Sequence, residues 1–135
     1  MSLERVVIFL AAGFFLLYGL AFSLIPEIMA IIVTDSGPEG ISALVDFRAT
    51  YGGMTIAIGI ALFYLHSIHQ VRACLVIIVI VLLSMAITRL VGLLVDGSGN
   101  VLMYLYLVLE LLGSALAMAA LRGRAGALPS NSNTR

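Results

Sequence analysis

Residues 72–94 read RACLVIIVIVLLSMAITRLVGLL, with no charged side chain between Arg72 and Arg89. A stretch this long and this apolar crosses the roughly 30 Å hydrocarbon core of a bilayer as a single helix, at a rise of about 1.5 Å per residue. Three more apolar runs occupy about residues 6–25, 43–65 and 101–121. None alternates apolar with polar at period two, and lipid admits only helices or closed barrels, so each run is expected to be helical. The fold class is therefore all-α: a transmembrane four-helix bundle over residues 1–121, followed by a polar tail over 122–135.

The composition fits that assignment and excludes others. Of 135 residues, 62% are hydrophobic and 10% charged, and the mean hydropathy is +1.18. Such a chain cannot cover itself with a watered surface. Seven basic residues, all Arg, balance seven acidic ones, so no basic stripe is available to neutralise phosphates and nucleic acid is not an expected partner. The single Cys74 sits in RACLVII and reads as a small buried hydrophobe. Ala21-Phe22-Ser23 has the small-x-small pattern of a signal cleavage site, but the run before it is nearer a full span than a short signal core, so a retained helix is expected.

The connections fix the neighbours. HSIHQV joins the second and third runs and DGSGN the third and fourth, links short enough to hold consecutive helices antiparallel. The longer connection, Pro26 to Ser42, begins where Pro26 stops the first helix. Its segment EIMAIIV is too apolar for a free loop and too short to cross, so it is expected to lie at the interface or over the bundle mouth. Ser36-Gly37-Pro38-Glu39 has the spacing of a capping box that would start the second helix. Arg5, Arg72, Arg122 and Arg124 fall on one side of this arrangement and Glu27, Asp35, Glu39 and Asp96 on the other. The positive-inside rule then puts both termini in the cytoplasm.

Against that background three charges stand out inside the spans: Arg48, Arg89 and Glu110. A lone charge at the bilayer centre costs on the order of 2.5–3.5 kcal/mol, which drives all three toward the bundle interior and toward each other. Met103, Tyr106, Ser114 and Ala117 share a helical face with Glu110, presenting polar and small groups to neighbouring helices. Arg48, Gly52, Thr55 and Gly59 form one stripe of the second span, and Gly53, Ala57 and Ala61 form another. Gly19, Gly52, Gly53, Gly59 and Gly113 are the expected close-packing positions. Asp46 and Arg48 stand about 200° apart on a continuous helix and cannot pair directly. Glu110 is expected to accept from Arg89, Arg48 or both, with Asp46 nearer the water and Tyr51, Tyr104 and Tyr106 at a depth to contribute. Gly52-Gly53 permits either a tight contact or a kink.

The runs GLAFSLIP (19–26), DFRATYGG (46–53) and RLVGLLVDG (89–97), with Glu110 beyond them, resemble a family of small four-span bacterial membrane proteins known only as a domain of unknown function. The resemblance spans roughly residues 6–121. It implies that Arg48, Tyr51, Gly52, Gly53, Arg89 and Glu110 match the family pattern, with Asp46 where Glu is more usual, and it implies no activity.

Two functions fit these residues. In one, Asp46, Arg48, Tyr51, Arg89, Tyr106 and Glu110 line an outward-facing cavity for a small anionic or carbonyl-bearing ligand. In the other, the chain is an accessory or scaffold subunit and the charges are a register-fixing ion-pair network. Catalysis is not expected, because no nucleophile is paired with a base and no phosphate loop occurs. No cofactor is expected. His66 and His69 have a metal-compatible spacing but no third ligand nearby, so no metal site is assigned. The partners are the lipid bilayer and, given the surface that four helices expose, a second copy or another membrane protein.

Overall fold

A computed structural model describes residues 2–125. It contains α1 (Leu3–Leu24), α2 (Pro26–Thr34), α3 (Ile41–Ser67), α4 (Val71–Val95) and α5 (Val101–Ala125), with no strand among the described residues. All but α2 are long and apolar enough to cross a membrane. Helix α5 runs to Ala125, and of the tail expected over 122–135, residues 126–135 lie outside the described part.

The long helices pack as two antiparallel pairs, α1 with α3 and α4 with α5. Small residues set the first pair. A Cβ on Gly19 would lie 2.7 Å from the Gly52 carbonyl, and one on Gly59 would lie 2.9 Å from the Ala12 carbonyl. Gly19 therefore faces Gly52 and Ala12 faces Gly59, one turn pattern running up α1 as the other runs down α3, with backbones close enough for dispersion to hold them where lipid gives no hydrophobic drive. Gly113 meets only the flexible tip of Leu82. Gly53, expected at a contact, is instead exposed, and a Cβ added there would meet Arg48 O at 3.9 Å.

Gly52 and Gly53 point about 100° apart on any helix, and helical regularity also breaks at this place. Residues Arg48–Gly53 form a π turn inside α3, with Met54 N–H reaching back to Ala49 O. Gly52 faces α1 and Gly53 faces outward, so the contact expected of the Gly52-Gly53 pair is made by Gly52. Thr55 Oγ1 donates to Tyr51 O at 2.5 Å and Gly52 O at 3.0 Å, bonding carbonyls in the irregular stretch from within the helix.

The core joins the pairs toward the Ser67–Val71 end. Ile8, Ala12 and Phe15 of α1 meet Leu62 of α3, Leu75 and Ile78 of α4 and Ala117 of α5, all at most 1% exposed. Cys74 lies in this core, fully buried. Outward positions carry Leu10, Leu17, Ile60, Val91 and Leu94, the apolar coat that suits a hydrocarbon solvent.

The connection after α1 departs from expectation at its capping box and not at its apolar segment. The EIMAIIV segment is helical, with Pro26 at the start of α2, and it buries Pro26, Ala30 and Val33 while leaving Ile28, Ile31 and Ile32 exposed. Asn100 Nδ2 donates to Val33 O at 3.0 Å, and Asn100 Oδ1 accepts from Met103 N at 3.1 Å, so one side chain caps α5 and tethers α2. The capping box at Ser36 does not form: Ser36 Oγ donates to Gly37 O and α3 starts at Ile41. Pro38 between the paired positions and Gly40 at φ 84° keep the chain extended past it.

Candidate functional site

Arg89, toward the Asp96 end of α4, and Glu110, near the middle of α5, meet in a forked ion pair. Nη2 lies 2.6 Å from Oε1 and Nε 3.1 Å from Oε2, with side chains 19% and 7% exposed. The two-point contact places a planar cation on a planar anion in an orientation Lys could not reproduce. The remaining nitrogen, Nη1, donates to Met103 Sδ at 3.2 Å, and the guanidinium carbon lies 5.3 Å from the centre of the Tyr106 ring. Met103, Tyr106 and Glu110 line up because they lie three and four residues apart on α5, and Ser114 and Ala117 continue that face into the core.

Beside the pair is a cavity of about 260 Å³. Leu10, Ala11, Phe14 and Phe15 of α1 form one wall, and Leu82 and Met85 of α4 form another. The polar end is made by Tyr18, Thr55, Arg89, Tyr106 and Glu110. It lies between the two helix pairs, lined by residues of α1, α3, α4 and α5.

A second polar group lies at the α1–α3 crossing. Arg48 Nη1 donates to the carbonyl of Ser23. The chain leaves α1 at Ile25, φ −130° and ψ 56°, orphaning last-turn carbonyls, and a cation there matches both the lone pair and the negative end of the helix dipole. Tyr51 stacks on Phe22 at 5.2 Å and Phe47 at 5.1 Å. Asp46 is exposed and accepts from Thr50 Oγ1 at 3.3 Å.

The single cluster expected from the sequence is thus divided. Arg89, Tyr106 and Glu110 come together. Arg48 is spent on Ser23 and does not reach Glu110, Tyr51 joins the aromatic stack, Asp46 stands apart and Tyr104 is exposed. Rings link the two groups: Tyr18 is 4.9 Å from Phe22 and 6.4 Å, edge-on, from Tyr106. Tyr18 was not among the expected residues, although a ring hydroxyl well inside a span, away from the interfacial belt, is a signal in its own right. His66 packs edge-on to Phe9 at 5.1 Å with Nδ1 buried and unpartnered, and His69 takes φ 61° in the turn.

A family model covers residues 3–121, nearly all of the described helices. The chain belongs to the family described as a domain of unknown function, DUF4345. No curated protein and no solved structure matches it. The family match takes in Arg48, Arg89, the cavity and Glu110, so the site lies within the family's own domain rather than in an appended segment.

Proposed function

We propose that this chain is a non-catalytic membrane protein that binds a small anionic or carbonyl-bearing ligand in the cavity beside Arg89 and Glu110. The observation that carries the reading is the cavity itself: an apolar chamber of about 260 Å³ whose polar groups converge at one end. Mostly apolar walls with a few convergent polar groups are the usual make-up of a small-molecule site. A packed ion pair that served register alone would gain nothing from a chamber beside it. Arg5, Arg72 and Arg122 at one end of the bundle, against Glu27, Asp35, Glu39 and Asp96 at the other, support cytoplasmic termini, and the likeness to small bacterial four-span proteins goes with a bacterial inner membrane. The α2 end then faces outward.

A second reading, an accessory subunit, is favoured by the outward stripe Gly53, Ala57 and Ala61 on α3. Small residues facing lipid are suited to close approach by another helix. Ala11→Phe, which fills the chamber from α1, separates the two. With the full chain in lipid nanodiscs, a panel of carboxylates and ketones is expected to raise the thermal midpoint of the wild type and leave Ala11→Phe unmoved. No compound distinguishing the two proteins would end the binding reading in favour of the subunit.

A further inference from the structure

Three of the cavity's lining side chains are also exposed on the bundle flank: Leu10 at 69%, Phe14 at 45% and Leu109 at 50%. They belong to α1 and α5, so the chamber opens sideways between those helices, in the middle of spans long enough to cross a bilayer. A mouth there faces acyl chains, and a ligand using it arrives dissolved in lipid.

The chemistry at the polar end says what such a ligand carries. Arg89 and Glu110 neutralise each other, and the carboxylate oxygens already accept from Nε and Nη2. A further anion would have to displace Glu110 from Arg89 in a medium that penalises every uncompensated charge. What is left over is donor capacity on a site with no net charge. Among the described residues Tyr18 and Tyr106 make contacts through their rings and spend neither hydroxyl on a hydrogen bond, and Arg89 Nη1 rests on a thioether, a weak acceptor. Donors without strong acceptors call for an acceptor. The volume exceeds the roughly 150 Å³ that holds one benzene ring, so a head of one or two rings fits.

Resting on the binding reading above, we infer that the ligand is a neutral, lipid-soluble carbonyl compound that enters laterally between α1 and α5 and places its oxygen toward Tyr18, Tyr106 and Arg89. An aqueous anion reaching the chamber from the α2 end is the competing ligand class.

Benzophenone, a neutral diaryl ketone that forms covalent bonds to nearby C–H groups under near-ultraviolet light, tests this directly against its anionic counterpart 4-benzoylbenzoate. Both are applied to the full chain in nanodiscs, and labelled residues are mapped by peptide mass spectrometry. The expected result is saturable benzophenone labelling at Leu82 or Met85, lost in Ala11→Phe, with 4-benzoylbenzoate labelling the chamber at least ten-fold less. Tyr106→Phe is expected to raise the half-saturating concentration about five-fold, as loss of one hydrogen bond should. Saturable labelling of the chamber by 4-benzoylbenzoate alone overturns the neutral ligand and lateral route and leaves the binding reading standing. Labelling by neither, or by benzophenone only on outward residues and equally in Ala11→Phe, overturns both.

Discussion

The Arg89–Glu110 pair shows what a low-dielectric solvent demands of a side chain. Each charge is tolerable because the other is within 2.6 Å and in a matched plane. Glu110→Gln leaves a guanidinium with no counter-charge. In water-soluble proteins breaking such a pair costs about 3–5 kcal/mol, but polar groups of helices dissociated within the membrane also find partners, which lowers the difference. A loss of about 1–3 kcal/mol is therefore expected, read as a lower thermal midpoint in detergent. Replacing both members with Leu should recover most of it, because no charge is then stranded. A double variant as unstable as the sum of the singles would mean that the pair contributes through something other than mutual neutralisation. Arg48 makes a separate test. Its bond to the Ser23 carbonyl is a helix-end contact, so Arg48→Gln should cost about 1–2 kcal/mol while leaving benzophenone labelling of the chamber intact. Loss of labelling would tie it to the chamber after all.

At the scale of the helix, the adjacent glycines of α3 separate packing from propensity. Gly52 is buried against α1, where an added Cβ would collide with the Ser23 side chain, while Gly53 faces open space with φ −59° and ψ −46°. Gly53→Ala should stabilise by about 0.5–1 kcal/mol, since Ala loses less backbone freedom in a helix. Gly52→Ala should destabilise despite the same propensity gain. Thermal midpoints of the two variants in one detergent decide it; equal shifts would mean that the crossing is looser than described. The sequence shows both glycines but not which one makes the contact. That choice depends on which face of α3 meets α1.

For the whole molecule, charge asymmetry makes a topological prediction. In intact cells, Ser98→Cys in the turn before α5 should react with a membrane-impermeant maleimide, and Gln70→Cys in the turn before α4 should not until the membrane is opened. Native Cys74 is buried and should remain silent in both. The reverse pattern would invert the molecule and with it any argument about access from outside.

The spans, their antiparallel order and the inward pull on Arg89 and Glu110 were legible in the sequence because each follows from a single-residue cost: lipid rejects charge and unpaired backbone wherever they occur. What the sequence could not assign was pairing. Arg48 and Arg89 are chemically alike and both had Glu110 within conceivable reach, yet the orphaned carbonyl at Ser23 claims one and the α4–α5 contact claims the other. Tyr18 becomes a cavity residue only because α1 lies opposite Tyr106, and the chamber exists only where the two helix pairs meet. Hydropathy is summed along one chain, whereas a void and a hydrogen-bond partner are properties of several helices at once, so they are decided by tertiary packing.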